Sequence, residues 1–384
     1  MEAVRFVFAS DSFKGSLSSA RTGELLTMAA REAFPDAECI AFPIADGGEG
    51  TLDAIRSVRA GELVGFDAHD GLMRPVEGAV FLCGGQAFVE TATTCGLTLL
   101  GEGERDPLAT TSYGLGECIR FALDRGCEGV SVGLGGSCTN DGGMGCLQAL
   151  GVRFLDGEGR ELEGRGGDLS RVARVDESGL HPRVRAVPFT VMSDVSNPLL
   201  GPSGATYVFG RQKGADDDAL ARLEEGMRHF ADVVRAAHPE LGRGPGGFDV
   251  PGFGAAGGLG MALAVFLGAR MRSGIEELLS WYDFDAALEG ADLVVTGEGK
   301  LDFQSLDGKA VSGVVAHAAR KGVPAAVICG KLELDAGPLE ALGATYVLEA
   351  GKGQRLEEAL AHAEENYLQS ARSLFAALRN GTTV

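Results

Sequence analysis

Gly133-Leu134-Gly135-Gly136-Ser137-Cys138-Thr139-Asn140-Asp141-Gly142-Gly143-Met144-Gly145 follows the apolar run Val130 to Val132 and leads into Cys146 to Leu150. An apolar run, a glycine-rich turn and a helix-forming segment make a strand-turn-helix unit, from which α/β sheets are wound. Glycines let the backbone take positive φ and approach a ligand closely, and the first turn of a helix leaves N–H groups free to hold an anion, phosphate first among them. Ser137, Thr139, Asn140 and Asp141 add hydroxyl, amide and carboxylate groups that suit phosphate oxygens, a divalent cation or a substrate hydroxyl. The same residues also suit a sharp turn closed by an Asn or Asp helix cap. The segment alone leaves both readings open.

Outward from this turn, the chain repeats the strand-helix rhythm at both ends. Val4 to Ala9 reads as a buried strand, Leu17 to Ala33 as an amphipathic helix, and Cys39 to Phe42 as the next strand. Near the C-terminus, strands are expected at Asp292 to Thr296, Ala325 to Cys329 and Thr345 to Leu348. Helices are expected at Gly308 to Arg320, near Pro338, and over Leu356 to Leu378. The middle reads as short strands (Leu63 to Phe66, Val76 to Phe81, Ala87 to Glu90, Phe189 to Met192) with helices at Tyr113 to Leu123, Asp216 to Ala237 and Leu259 to Leu267. Gly242 to Gly258 is read as a surface crossing. The expected fold is α/β with two domains. A doubly wound parallel sheet, Rossmann-like or flavodoxin-like, is built from 1–60 and 285–384, a second α/β domain of 61–284 is inserted, and the active site is expected in the crevice between them.

Composition narrows the function classes. With 54 Asp and Glu against 34 Lys and Arg, the net charge of −20 argues against a nucleic-acid partner, which needs a clustered basic surface. No apolar stretch reaches the length of a membrane span, and Met1 to Ser10 lacks the pattern of an export signal, so a soluble cytoplasmic protein is expected. The eight cysteines form no C-x-x-C pair and the six histidines show no metal-ligand spacing. Reduced, mostly buried thiols are expected, without structural zinc.

Several further turns place polar residues after apolar strands, where α/β folds gather ligands. Ser10 to Ser16 offers Asp11, Ser12 and Lys14; Ala45 to Thr51 offers Asp46 and Glu49 before a helix; Ser193 to Leu199 offers Asp194 and Asn197. Gln212 and Lys213 follow Phe209, and Gly254 to Gly260 is a small-residue helix entry in which Gly257 and Gly258 serve either ligand contact or close packing. The last, Thr296 to Ser305, carries Glu298, Lys300, Asp302 and Gln304. No P-loop, no dinucleotide fingerprint and no protein-kinase signature occurs. These residues point to an enzyme acting on a small anion, with phosphate chemistry leading.

The same segments, in order, resemble the type I glycerate kinase family nearly end to end: Asp11 to Leu17, Ala45 to Thr51, Gly133 to Gly145, Asp194 with Asn197 to Leu199, Gln212 to Gly214, Gly254 to Gly260, Thr296 to Ser305 and Gly308-Lys309. The resemblance implies a kinase that transfers the γ-phosphoryl group of ATP, with Mg²⁺, to D-glycerate, giving 2-phosphoglycerate. It further implies Asp194 as the group that orients and deprotonates the hydroxyl, and Lys14 and Lys213 as charge neutralisers. Asp11, Asp46, Glu49 and Glu298 become candidates for Mg²⁺. Ser12, Gly135, Gly136, Ser137, Thr139, Asn140, Asp141, Asn197, Gln212, Lys213, Gly257, Gly258, Lys300 and Gln304 become candidates for substrate or phosphate. Ser196 stands where the family has a second Asp, which leaves Asp194 as the candidate base of its turn. Alternatives are the 3-hydroxyl as acceptor, a related hydroxy acid, a phosphatase or isomerase without nucleotide, and a binding protein that closes on a small anion without chemistry.

Overall fold

Runs of consecutive buried apolar residues, as in Phe6 to Ala9 and Leu293 to Val295, cannot face water on either side and so form the inner strands of parallel sheets. The computed structural model describes residues 4–13, 16–45, 50–239, 250–306, 309–335, 338 and 341–381. In chain order the strands are β1 (Arg5–Ser10), β2 (Glu38–Ala41), β3 (Glu62–His69), β4 (Pro75–Cys83), β5 (Gln86–Glu90), β6 (Gly129–Gly133), β7 (Arg153–Leu155), β8 (Arg174–Asp176), β9 (Phe189–Met192), β10 (Arg270–Arg272), β11 (Leu293–Leu301), β12 (Ala325–Leu332) and β13 (Tyr346–Glu349). The helices are α1 (Ser19–Ala33), α2 (Thr51–Val58), α3 (Ala92–Cys95), α4 (Tyr113–Asp124), α5 (Met144–Ala149), α6 (Ala205–Phe209), α7 (Asp217–Ala237), α8 (Leu259–Leu267), α9 (Gly274–Trp281), α10 (Phe284–Ala287), α11 (Ala310–Lys321), α12 (Leu356–Ala361) and α13 (Ala363–Asn380). The chain divides into two compact units, one of Met1–Asp46, Asp53–Arg59 and Ser273–Val384, the other of Gly47–Leu52 and Ala60–Arg272.

The first unit holds a five-stranded sheet in the order β13-β12-β11-β1-β2, parallel throughout. Because β2 lies on one side of β1 and β11 to β13 lie on the other, the strand order reverses between β1 and β11. Ligands of open α/β sheets bind outside the strand ends at such a reversal. Phe6, Phe8, Leu293, Val295, Ala326 and Ile328 point to the face covered by α1 and α13. On α13 the buried Tyr367, Ala371, Leu374 and Phe375 recur at helical spacing, and Phe375 meets Phe6 with ring centroids 5.1 Å apart. Each such fully buried large side chain contributes roughly 1.5–3 kcal/mol. Ser18 caps α1 by accepting from the Arg21 N–H at 3.2 Å. α11 packs against β11, β12 and β1 with Val311, Val314, Val315 and Ala318 buried.

The second unit holds a six-stranded mixed sheet, β10-β9-β6-β5-β4-β3, in which β10, β9, β6 and β5 run parallel and β4 and β3 are antiparallel. Its core gathers Val80, Val89, Val130, Val132 and Val191 from the sheet with Leu115, Ile119 and Leu123 of α4 and Leu259, Leu263 and Phe266 of α8. β6 is buried along its whole length and delivers the glycine turn at its C-terminal end. Asp216 caps α7 through the Ala219 N–H at 2.8 Å, and Asp217 and Asp218 in its first turn suit the helix dipole.

The α/β reading holds, and three local expectations change. β11 continues to Leu301, so Glu298 and Lys300 lie on a strand and not in a turn. Pairing with Cys329, Lys331 and Leu332 of β12 supplies the ladder that extends it. The expected last helix is two helices that meet at His362, whose φ of −112° interrupts the helical path. Residues 252–258 are mostly buried rather than a surface crossing, while 240–249 lie outside the described residues. The expected helix near Pro338 lies largely outside them as well.

Candidate active site

The glycine turn meets solvent only at Gly136, with Gly135 half-buried and Ser137, Thr139, Asn140 and Asp141 in the interior. Gly136 takes φ +71°, which an L side chain rarely adopts, and its carbonyl accepts from the Leu97 N–H at 2.7 Å. Asp141 is completely buried. One carboxylate oxygen accepts from the Ser112 N–H (2.8 Å), the Ser112 hydroxyl (2.7 Å) and the Gly145 N–H (3.1 Å), and the other from the Gly143 N–H (3.0 Å). Burial pushes its pKa up, and these hydrogen bonds oppose the shift. The Cys146 N–H goes to the Ser112 hydroxyl at 3.0 Å. The start of α5 is therefore satisfied from within by Asp141 and Ser112, and an external anion finds no free helix end there.

Other predicted residues converge on this turn from within the second unit. Lys213 is buried, its ammonium donates to the Thr139 carbonyl at 2.6 Å, and desolvation lowers its pKa to about 8. It acts on the turn from inside and does not face solvent as a phosphate-neutralising side chain would. Asn140 donates to the Thr206 hydroxyl at 3.2 Å, while its carbonyl oxygen and the Thr139 hydroxyl are buried without a hydrogen-bond partner among the described residues. Gly257 and Gly258, both at positive φ, bring backbone against this segment: a Cβ on Gly257 would lie 2.2 Å from the Thr139 oxygen, and the Gly142 N–H donates to the Gly257 carbonyl at 3.0 Å. Close packing is thus the role the geometry gives these two glycines. Asp194 is exposed just beyond β9, Asn197 donates to the Ser203 carbonyl at 2.8 Å, and Gln212 is exposed.

In the first unit, two predicted carboxylates meet at the strand-order reversal. Ser10 of β1 pairs with Gly297 of β11, and the next residues are Asp11 and Glu298. The Asp11 N–H donates to the Gly297 carbonyl at 2.8 Å, and the Ser12 N–H to the Asp11 carboxylate at 2.6 Å. Desolvation raises the pKa of Glu298; the Ser305 hydroxyl lowers it, the like charge of Asp11 raises it and Lys309 lowers it. Glu298 Oε1 is buried with no hydrogen-bond partner among the described residues. An unsatisfied carboxylate oxygen beside a second carboxylate fits a hard divalent cation. Lys300 is engaged by Glu333 at 2.7 Å and Asp302 at 3.4 Å, which raises its pKa. The backbone of Gln304 lies in the single turn Phe303–Leu306. Lys14, Asp46 and Glu49 lie outside the described residues.

Two residues absent from the sequence-based site hold its frame. Ser112 organises the glycine turn, and its position just before a helix is an N-cap signal that by itself says nothing of a partner 29 positions away. Glu90, buried at the end of β5, accepts from the Gly50 N–H (3.0 Å) and the Leu52 N–H (2.8 Å) at the start of α2.

Residues 6–379 match the glycerate kinase family. The chain belongs to that family. As a member it is an enzyme, a kinase, for which ATP is the phosphoryl donor. It is 40% identical to the glycerate kinase of Bacillus subtilis (strain 168), covering 99% of each chain. It is 38% identical to the glycerate 2-kinase of Escherichia coli (strain K12), covering 98% of this chain and 99% of that one. Among solved structures, a candidate glycerate kinase 2 from Salmonella typhimurium LT2 superposes with a TM-score of 0.84 at 40% identity, covering 99% of both chains. Among the described residues of this glycerate kinase family member, no helix is long and apolar enough to cross a membrane, and all eight cysteines are free.

Proposed function

We propose that this protein transfers the γ-phosphoryl group of ATP to the 2-hydroxyl of D-glycerate, giving 2-phosphoglycerate and ADP. The full-length family match carries the reading, and the name glycerate 2-kinase borne by the Escherichia coli relative favours the 2-hydroxyl. Asp194 orients the acceptor hydroxyl and takes its proton as the bond to phosphorus forms. Its exposure just beyond β9 leaves the carboxylate accessible to a substrate. Gly135 and Gly136 offer backbone N–H groups to the glycerate carboxylate or a phosphate. Asn197 and Gln212 line the approach, and Ser137, Thr139, Asn140, Asp141 and Lys213 keep the turn in shape from behind.

Asp11 and Glu298 would hold Mg²⁺, directly or through water. When bound, the ion neutralises phosphate charge in a loose, in-line transition state. Lys309 acts on Glu298 as a further cation, and Lys14 follows Asp11 and Ser12 in the sequence. The roles of Lys14, and of Asp46 and Glu49 as additional metal ligands, rest on the sequence alone. Free thiols throughout support a reducing compartment, the cytoplasm.

Phosphorus NMR of the protein with ATP, Mg²⁺ and D-glycerate, beside controls lacking each, tests the reading. A glycerate-dependent phosphomonoester coupled to a single methine proton is expected. Coupling to a methylene pair would identify the 3-hydroxyl, and no product would overturn the function. In the same assay Asp194→Asn is expected to lose about a hundredfold or more in rate. Near wild-type turnover by the folded variant would remove Asp194 from the mechanism.

A further inference from the structure

The first unit carries a cavity that none of the roles above uses. It has a volume of about 340 Å³ and lies between the first half of α1 and the C-terminal ends of β1 and β2. This is the edge of the sheet at which α/β folds bind ligands, and Ser10 in its wall directly precedes Asp11. Small-molecule sites run from roughly 300 to 1,000 Å³, so there is room for one flat ring system and not for a whole nucleotide.

Its chemistry selects between the two substrates of a glycerate kinase. Phe8, Ala20, Gly23, Ala41, Phe42 and Pro43 supply apolar walls. The lining hydroxyls are spent on protein partners: Ser10 on the Tyr367 hydroxyl (3.2 Å), Ser19 on the Ser10 carbonyl (2.5 Å) and Thr27 on the Gly23 carbonyl (2.8 Å). Among the described residues no cation lines the cavity, and its ionisable residue, Glu24, accepts from the Arg21 guanidinium through Oε2 at 2.5 Å. Glycerate, a small anion with almost no apolar surface, is excluded on both counts, and so are phosphate groups. A neutral aromatic base with N–H donors fits, because apolar walls cover its faces and the second carboxylate oxygen of Glu24, the one Arg21 does not hold, accepts from its edge. The glycine within α1 has a matching reason. A Cβ on Gly23 would come within 3.0 Å of the Ala41 Cβ, so the missing side chain lets the helix sit close to β2 beside the cavity.

We infer that this cavity receives the adenine base of ATP, with the ribose and phosphates leading over the end of β1 toward Asp11 and Glu298. The inference rests on the kinase reading. Ala20 and Ala41 lie exposed on the cavity rim, so Ala20→Trp and Ala41→Leu fill it without touching the core.

Calorimetric binding of ADP to wild type and to each variant, without glycerate, reads the site directly. Both variants are expected to weaken ADP about tenfold or more and to raise the KM for ATP in parallel. Inhibition by inorganic tripolyphosphate, which has the phosphates and no adenosine, is expected not to move. ADP binding at wild-type strength in both variants overturns the assignment and leaves the kinase reading standing. Equal weakening of ADP and tripolyphosphate also overturns it, since the loss would then be general. A wild-type protein that binds neither ADP nor ATP overturns the kinase reading itself.

Discussion

Asp141 and Glu298 are both carboxylates whose pKa burial raises, and they differ in what satisfies them. Asp141 accepts four hydrogen bonds and closes a turn; Glu298 keeps one oxygen without a hydrogen-bond partner among the described residues and faces the like charge of Asp11. A buried group left unsatisfied costs stability in the empty protein and is retained where a ligand uses it. Glu298 has its folded pKa above the unfolded value, so its ionised form is destabilising at neutral pH, and that cost fades as pH falls through the carboxylate range. Glu298→Gln is therefore expected to raise the Tm at pH 7 by about 2 °C, with no gain at pH 4. The same change is expected to raise the Mg²⁺ requirement for turnover about tenfold or more. A lower Tm with unchanged Mg²⁺ dependence would remove Glu298 from the metal site. Lys213 has the opposite sign. Its folded pKa of about 8 lies below the ordinary 10.5, so the cost of its buried charge is complete below pH 8 and is relieved as pH rises toward 10.5. Urea denaturation is expected to show wild type gaining stability relative to Lys213→Met across that window, and parallel pH profiles would contradict it.

The glycines separate element formation from packing. Gly257 and Gly268 share nearly the same φ, +67° and +66°, and a sequence cannot tell them apart. Gly268 ends α8 with open space around it, so Gly268→Ala is expected to cost about 1–2 kcal/mol from backbone strain. At Gly257 the added Cβ would also meet the Thr139 oxygen at 2.2 Å and the Asn140 Cα at 2.6 Å. Gly257→Ala is expected to cost roughly 2–5 kcal/mol by denaturant titration. Equal costs at the two sites would show that the glycine turn yields to its neighbour. Strands and helices with a strong apolar period were legible: α8 lies at Leu259–Leu267 as expected, and α4 and α7 differ from expectation by one residue at one end. The first half of β11 was legible too, but its continuation, Gly297 to Leu301, was not, because most of those residues are turn-forming or charged and are strand only through the ladder with β12. Ser112 was missed for the same kind of reason, since its role depends on a partner brought to it by folding.

For the whole molecule, the charge of −20 sets a field that opposes both anionic substrates. The screening length falls from roughly 30 Å at 0.01 M salt to about 8 Å at 0.15 M, so added potassium chloride at fixed free Mg²⁺ is expected to raise kcat/KM for glycerate about two- to fivefold. A fall instead would mean that local cations outweigh the global field. The amino-acid sequence by itself determined the α/β class, the family and the segments that carry chemistry, because periodicity, turn residues and ordered motifs are local properties of the chain. Tertiary structure alone decided which of those residues are spent. Asp141, Lys213 and Gly257 turned inward to hold the turn, Asp11 and Glu298 came together from opposite ends of the chain, and a cavity opened beside them. Burial and pairing depend on register between strands nearly 300 positions apart, and no local pattern encodes that distance.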